Sequence, residues 1–112
     1  MKGIDRDHEL LAHIRSSIER VERYRGGGWR GSVIREMAED AILRRLETLS
    51  DAAGQFSSDL RARHPEIAWR RISAFRNVRA HGYMRIDAQR IDEVVDQELP
   101  PLRAVADQEL EG

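Results

Sequence analysis

The residues best suited to chemistry lie in one short segment, residues 76–83, which reads Arg-Asn-Val-Arg-Ala-His-Gly-Tyr. A guanidinium offers a planar fork of donors that stabilises charge developing on a phosphate. An imidazole titrates near neutrality and serves as a general base or a general acid. Arg76 and His81 therefore form a minimal set for attack by a ribose 2′-hydroxyl on a phosphodiester, a reaction that needs no metal. On the spacing alone, a structural role is the more common one for such residues, with His81 capping a helix and Arg76 in a surface ion pair.

Helical geometry limits how these side chains meet. At about 100° per residue, Asn77 and His81 fall on nearly one face of a helix. Arg76 and His81 diverge by roughly 140° on a regular helix. Two arrangements would bring them together. The helix unwinds near His81 and Gly82, or a two-fold related copy supplies a second set across an interface.

The elements that position this segment are predicted to be helices of a single domain spanning residues 1–112. Charged residues make up 35% of the chain and aromatic residues 5%. This mixture is typical of amphipathic helices and argues against a sheet. Because the chain has few large aromatic side chains, a monomer can bury only a modest core, and we expect a helix-mediated homodimer. The predicted fold is an all-α, up-down bundle of four to five helices.

Hydrophobic periodicity places four helical segments. The first covers about 5–24 and ends at a glycine triplet, and the second covers about 32–57. A short turn over 60–63, capped by Ser58, follows. The third helix is expected over about 66–80 and would carry the start of the motif. The fourth begins after Asp87, and Pro100-Pro101 must kink or divide it.

The same periodicity predicts the core. Trp69 is expected in the core or at an interface. The apolar positions assigned to the interior are Leu10, Leu11, Ile14, Ile18, Val21, Val33, Ile34, Met37, Ala41, Ile42, Leu46, Leu49, Ala53, Phe56, Ile67, Ile72, Phe75, Val78, Ile91, Val94, Val95, Leu99, Leu102 and Val105.

Several classes of function are disfavoured by what the sequence lacks. The chain has no cysteine, which excludes disulfides, thiolate metal sites and a cysteine nucleophile. No apolar stretch approaches the roughly 20 residues of a membrane span, and no signal-peptide region is recognisable. We therefore expect a cytoplasmic protein with no membrane partner. His8, His13 and His64 lack the spacing of a helical metal site and are expected to face solvent or lie in loops. No metal or cofactor is predicted.

Charge is unevenly distributed although the net charge is only -1. Residues 61–90 contain eight arginines against Glu66 and Asp87, whereas residues 91–112 contain seven acids and only Arg103. One interpretation is local anion binding by the basic region. The other is complementary packing of two helices. The sequence leaves both open.

The motif and its surroundings resemble the HepT-like proteins of the wider HEPN group. Arg76-Asn77 followed by His81-Gly82-Tyr83 matches the family pattern R-x4-H-x-Y. The stretch from Leu60 to Trp69 is similar to the family's L-R-x-x-x-P-E-I-P-W, and residues 86–87 and 98–102 also resemble the family. The similarity runs from about Val33 onward. Departures include Met84-Arg85 after the motif and Asp51 at a position that is often Glu.

This resemblance implies a fold, an activity and partners. HepT-like proteins are four- to five-helix bundles that dimerise so that two motifs face each other in a cleft. They are typically metal-independent ribonuclease toxins of toxin–antitoxin pairs of the type VII kind. The partner is an MntA-like nucleotidyltransferase, which neutralises the toxin by transferring AMP to the motif tyrosine. The resemblance thus implies that Arg76 and His81 are catalytic, that Asn77 supports them, and that Tyr83 is modified. The expected substrate is RNA, either tRNA or mRNA.

The alternative is a non-catalytic helical module that binds the nucleotidyltransferase or a nucleotide without cleaving RNA. A third interpretation gives the motif only a role in stabilising the dimer. The intact set of Arg, Asn, His and Tyr favours the enzyme, because a scaffold does not need that combination. Since the net charge is nearly neutral, activity is expected to depend on a narrow, two-sided basic cleft.

Overall fold

The computed structural model describes the backbone of residues 2–26, 32–77, 79–80, 85–86 and 88–111, and the side chains of residues 6–25, 37–75 and 89–111. The elements in chain order are α1 (Lys2–Gly26), α2 (Ser32–Ala53), α3 (Ser58–Arg63), α4 (Trp69–Ser73), a 3₁₀ turn (Ala74–Asn77), β1 (Arg79–Ala80), β2 (Arg85–Ile86), α5 (Ala88–Glu93), a π-helical turn (Val94–Glu98) and α6 (Leu99–Glu111). The predicted all-α class is confirmed. The two-residue antiparallel pair β1–β2 was not predicted.

Helix α1 lies against α2 and α6, and its predicted apolar stripe forms one wall of the core. All five of its predicted interior positions are buried. The prediction for Met37 is wrong, since its side chain is 64% exposed. The buried face of α2 instead runs through Ala38, Ile42 and Leu46 at the spacing of one helical stripe. Met37 precedes that stripe by one residue, about 100° around the helix.

The connection from α2 to α3 is tied to the first helix through a buried carboxylate. The Ser57 hydroxyl accepts a hydrogen bond from the Leu60 amide at 3.2 Å, so Ser57, and not the predicted Ser58, caps α3. The same hydroxyl donates to Asp7 Oδ2 at 2.6 Å, and the Ser57 amide donates to Asp7 Oδ1 at 3.0 Å. Asp7 is thus a buried acid that is fully used in holding α3 against α1.

The third predicted helix is much shorter than expected. Regular helix covers only Trp69–Ser73, and the chain is extended at residues 79–80, so the predicted extension to residue 80 is wrong. The Ser73 hydroxyl donates to the Trp69 carbonyl at 3.2 Å, a back-bond that competes with the helical ladder. The Ala74 amide then contacts carbonyls up to four residues back, and the turn tightens into 3₁₀ geometry.

The C-terminal third is divided as the two prolines predict. The fourth segment begins at Ala88, immediately after Asp87. The Leu99 amide donates to the Val94 carbonyl, five residues back, which is the π-helical bond. Pro100 and Pro101 then lie in the first turn of α6, where a missing amide hydrogen costs least. None of the helices in the described part of the chain is both long and apolar enough to cross a membrane.

Candidate functional site

The predicted catalytic segment begins where regular helix has ended. Arg76 and Asn77 are the last residues of the 3₁₀ turn, and their side chains lie outside the described residues. His81 and Tyr83 also lie outside the described residues. Because Ala80 pairs with Arg85, the two ends of the segment that contains His81 and Tyr83 are adjacent.

This backbone path changes the geometric argument made for Arg76 and His81. The chain between them is not one regular helix, because α4 ends at Ser73 and β1 is extended. The angular separation of roughly 140° on a regular helix therefore does not apply. The helix ends earlier than the expected unwinding near His81 and Gly82. Convergence across a two-fold interface remains a prediction.

The backbone that leads into the motif is held by the core. Ile72 and Phe75 are 1% and 0% exposed, so the residue directly before Arg76 is fully buried. The Ser50 hydroxyl of α2 donates to the Ser73 carbonyl at 3.1 Å, at the point where α4 ends. These contacts fix the position of the 3₁₀ turn against α2.

A second tie runs from α4 to the π-helical turn. Arg71 Nη2 lies 3.1 Å from Glu98 Oε1. The Glu98 side chain is only 14% exposed, whereas that of Arg71 is 58% exposed. This ion pair holds the helix that precedes the motif against the helix that follows it.

His64 is the centre of a cluster that sequence analysis missed. Its ring is buried, so the expected exposure to solvent is wrong, whereas its place in the connection after α3 agrees with the loop alternative. Its Nε2 lies 2.6 Å from Glu109 Oε2 and its Nδ1 lies 3.0 Å from Glu66 Oε2. Arg63 binds Glu109 through two nitrogens, at 2.7 and 3.2 Å. The cluster joins the α3–α4 connection to α6.

The charges of this cluster stabilise one another. Hydrogen bonds from Arg63, opposed by burial and reinforced by His64, lower the pKa of Glu109 to about 2. Burial by itself disfavours the charged His64 ring, but the bonds to Glu109 and Glu66 outweigh it and raise the pKa of His64. Pro65 forces His64 out of helical geometry, and the histidine backbone is indeed non-helical (φ -127°). No local signal in the sequence shows that the His64 ring would pair with Glu109.

The charge asymmetry of the sequence is explained in part by these contacts. Arg63 and Arg71 lie in the basic region, and their partners Glu109 and Glu98 lie in the acidic C-terminal region. Complementary packing of helices is therefore supported. It does not account for every arginine of the basic region.

A shallow groove lies against α3, α4 and the end of α2. It is lined by Ala53, Gly54, Arg61, Trp69, Arg70 and Ser73, and we call it the Arg61–Arg70 groove. Trp69 is half-buried, its indole nitrogen donates to the His64 carbonyl at 3.2 Å, and its ring meets Phe56 edge to face with centroids 5.8 Å apart. Trp69 is thus a fixed wall of the groove, as its predicted place in the core or at an interface requires. In the described part of the chain, no group of three or more His, Asp or Glu residues is arranged to hold a metal ion.

Comparison with known proteins identifies the family. Residues 14–109 match the family model described as "Ribonuclease HepT-like". The chain belongs to the ribonuclease HepT-like family. The resemblance stated from the motif is thereby confirmed. The matched region includes α2 to α5, the Arg61–Arg70 groove and the whole of segment 76–83.

Individual relatives agree with this assignment. The chain is 27% identical over 104 residues to the "Probable ribonuclease HepT" of Thermococcus cleftensis, covering 92% of this chain and 93% of that protein. It is also 27% identical over 94 residues to a "Gamma-glutamylcyclotransferase and putative RNase" of Methanocaldococcus jannaschii. That match covers 83% of this chain but only 42% of the longer relative. No solved structure matches the chain significantly.

Proposed function

We propose that this HepT-like chain is an endoribonuclease that cleaves RNA without a metal at segment 76–83. The observation that carries the proposal is the family match over residues 14–109, which encloses an intact set of Arg76, Asn77, His81 and Tyr83. The two relatives described above are named as a probable and a putative ribonuclease, and one of them spans nearly the same length as this chain.

The proposed reaction uses only side chains of this segment, taken from two copies of the chain. His81 takes the proton of the ribose 2′-hydroxyl, and the freed oxygen attacks the adjacent phosphorus. The bond from phosphorus to the 5′-oxygen breaks, and a second imidazole returns a proton to that oxygen. Arg76 stabilises the negative charge that builds on the phosphoryl oxygens. The products are a 2′,3′-cyclic phosphate and a 5′-hydroxyl.

The second imidazole is most simply His81 of a second copy, because the motif holds one histidine. We therefore propose a homodimer in which two motifs form one composite cleft, with Asn77 supporting the catalytic groups. The anchoring of the 3₁₀ turn by Phe75 and Ser50 supports this proposal, because facing motifs need rigid supports.

The proposed regulation acts on Tyr83. An MntA-like nucleotidyltransferase antitoxin would transfer AMP to its hydroxyl, in a toxin–antitoxin pair of the type VII kind in the cytoplasm. The added phosphate charge would lie two residues from His81, where it would repel RNA and fill the cleft. Incubation with such an enzyme and ATP should add the mass of AMP to the wild type and not to Tyr83→Phe. An equal mass gain in both proteins would place the modification elsewhere.

The cleavage proposal is tested with purified protein, labelled RNA and excess EDTA. Wild-type protein is expected to cut total RNA or a tRNA pool. Arg76→Ala and His81→Ala are expected to lower the rate by on the order of 10²- to 10⁴-fold while the secondary structure is retained. No cleavage by wild-type protein, with intact mass showing no group on Tyr83, would instead favour the non-catalytic binding module.

The dimer is tested by light scattering beside activity. A composite site predicts that specific activity falls on dilution as the dimer dissociates. A monomer with constant specific activity would refute the shared cleft and leave cleavage itself standing.

A further inference from the structure

Two arginines of the basic region have no carboxylate partner within the described part of the chain. Arg61 Nη2 donates to the Gly54 carbonyl at 2.8 Å, and its Nε is buried without a hydrogen-bond partner. Arg70 is exposed on α4 and forms no ion pair among the described residues. Both side chains line the Arg61–Arg70 groove.

The groove has the composition of an anion site. None of its six lining residues is acidic, and two of them, Arg61 and Arg70, carry guanidinium groups. A guanidinium presents several donors, and the carbonyl of Gly54 occupies only part of the Arg61 fork. The ring of Trp69, held by its hydrogen bond to the His64 carbonyl, forms a wall of the groove beside them. A phosphate satisfies donors that the protein leaves free.

The position of the groove links it to the motif. Ser73 lines the groove and precedes Arg76 by three residues. Three residues of tight helix advance the chain by about 6 Å. The groove therefore adjoins the proposed cleavage segment along the axis of α4. A strand bound at the motif has its next phosphates within reach of this surface.

We propose that the Arg61–Arg70 groove binds a backbone phosphate of single-stranded RNA flanking the phosphate that is cut. This inference rests on the proposed ribonuclease function and extends it to the substrate path. Arg61 and Arg70 position the strand and do not take part in proton transfer. Such contacts carry no base specificity, so they affect all sequences alike.

The test measures RNA affinity separately from cleavage. A labelled single-stranded RNA is titrated in a His81→Ala background by fluorescence anisotropy at several salt concentrations. Arg61→Gln and Arg70→Gln are each expected to raise Kd about 3- to 10-fold. Each should also reduce the slope of log K against log salt by about one phosphate contact.

Arg20→Gln is the matched control, because it removes the same charge from an exposed side chain that forms no ion pair among the described residues. Arg20 is also remote from the groove. Arg6 marks the part of α1 near Gly54, because it contacts the neighbouring Gln55, and Arg20 lies about 20 Å further along the same helix. The control is expected to bind RNA like its parent. Thermal unfolding checks that each variant is folded, and Arg70→Gln decides the matter if Arg61→Gln is unstable.

The outcomes separate this inference from the proposed function. If wild-type protein cleaves RNA but both groove variants bind like Arg20→Gln, the groove is not part of the substrate path and cleavage stands. If wild-type protein does not cleave, yet both groove variants weaken binding selectively, the groove binds RNA and the ribonuclease proposal fails. Equal weakening in all three variants would show only a general charge effect and would overturn the inference.

Discussion

Helices α3 and α4 each carry two arginines, and in each helix the two have different surroundings. Arg63 and Arg71 pair with Glu109 and Glu98 of the C-terminal region. Arg61 and Arg70, in the same two helices, line a groove without acids. The two arginines are two residues apart in α3 and adjacent in α4, and this small separation is enough to give them different environments. A count of charges along the sequence cannot distinguish them.

The difference has an energetic consequence. Glu109 and Glu98 are only 15% and 14% exposed, so their ion pairs are less screened than ordinary surface pairs. Removing the partner of a largely buried acid leaves its charge uncompensated. The free energy of unfolding therefore falls further than when a solvated acid loses its partner. The groove arginines leave no buried acid behind when they are removed. The first set is therefore expected to stabilise the fold, and the second set to bind RNA.

Removal of Glu109 should have the largest effect on stability. Glu109→Gln deletes the charge that Arg63 and His64 share, and is expected to lower the free energy of unfolding by about 3 kcal/mol, measured by urea denaturation at pH 6. The control Glu111→Gln removes an acid that is 75% exposed and should cost below about 0.5 kcal/mol. Equal losses in the two variants would mean that the cluster does not stabilise the fold.

The cluster of Glu109 and His64 should also make the stability of the fold depend on pH. Since the pKa of Glu109 is lowered to about 2, its contribution is complete above about pH 4.5 and is lost as pH falls toward 2. Since the pKa of His64 is raised, its contribution is complete below about pH 6.5 and is lost as pH rises through the raised value. Stability should therefore be highest between about pH 4.5 and 6.5.

His64→Gln tests the alkaline part of this profile. The variant is expected to lose about 1.5 kcal/mol at pH 5.5 and to show a shallower decline above pH 6.5. Denaturation midpoints across pH 4–9 provide the measurement. An unchanged slope above pH 6.5 would show that the buried ring remains neutral throughout.

Substitutions of the adjacent residues Arg70 and Arg71 on α4 should give the smallest difference in stability, between two closely matched variants. Arg71→Gln is expected to lower the free energy of unfolding by about 1 kcal/mol through loss of the Glu98 pair. Arg70→Gln should change it by less than about 0.5 kcal/mol, because that side chain is exposed and has no ion pair within the described region. Thermal or urea unfolding of the two variants side by side is the check. A reversed order would break the division proposed for these arginines.

Sequence periodicity predicted much of the fold because burial repeats with the helical turn. The stripe of α1, the start of α5 and the effect of Pro100 follow from local rules. The cap at Ser57 does not, because Ser58 is chemically equivalent and the distant Asp7 selects between them. The burial of His64 likewise depends on Glu109, 45 residues away.

The sequence predicted the family of the candidate site better than it predicted the backbone path that positions its residues. The family assignment followed from the motif around Arg76 and His81 and from its flanks, and the comparisons confirm it. The end of α4 was missed because Ser73 is acceptable in a helix by propensity, while its back-bond and the burial of Phe75 end the helix there. The roles of the motif side chains remain a prediction. The groove arginines could not be separated from Arg63 and Arg71 without the packing of the π-helical turn and α6, which carry Glu98 and Glu109.

The most direct test of the central claim is steady-state cleavage of one RNA substrate in EDTA by wild-type protein, His81→Ala and Arg70→Gln. We expect metal-free cleavage by the wild type, loss of kcat in His81→Ala, and a raised KM with a much smaller change of kcat in Arg70→Gln. Cleavage by His81→Ala at the wild-type rate, or no cleavage by wild-type protein whose Tyr83 carries no added mass, would contradict it.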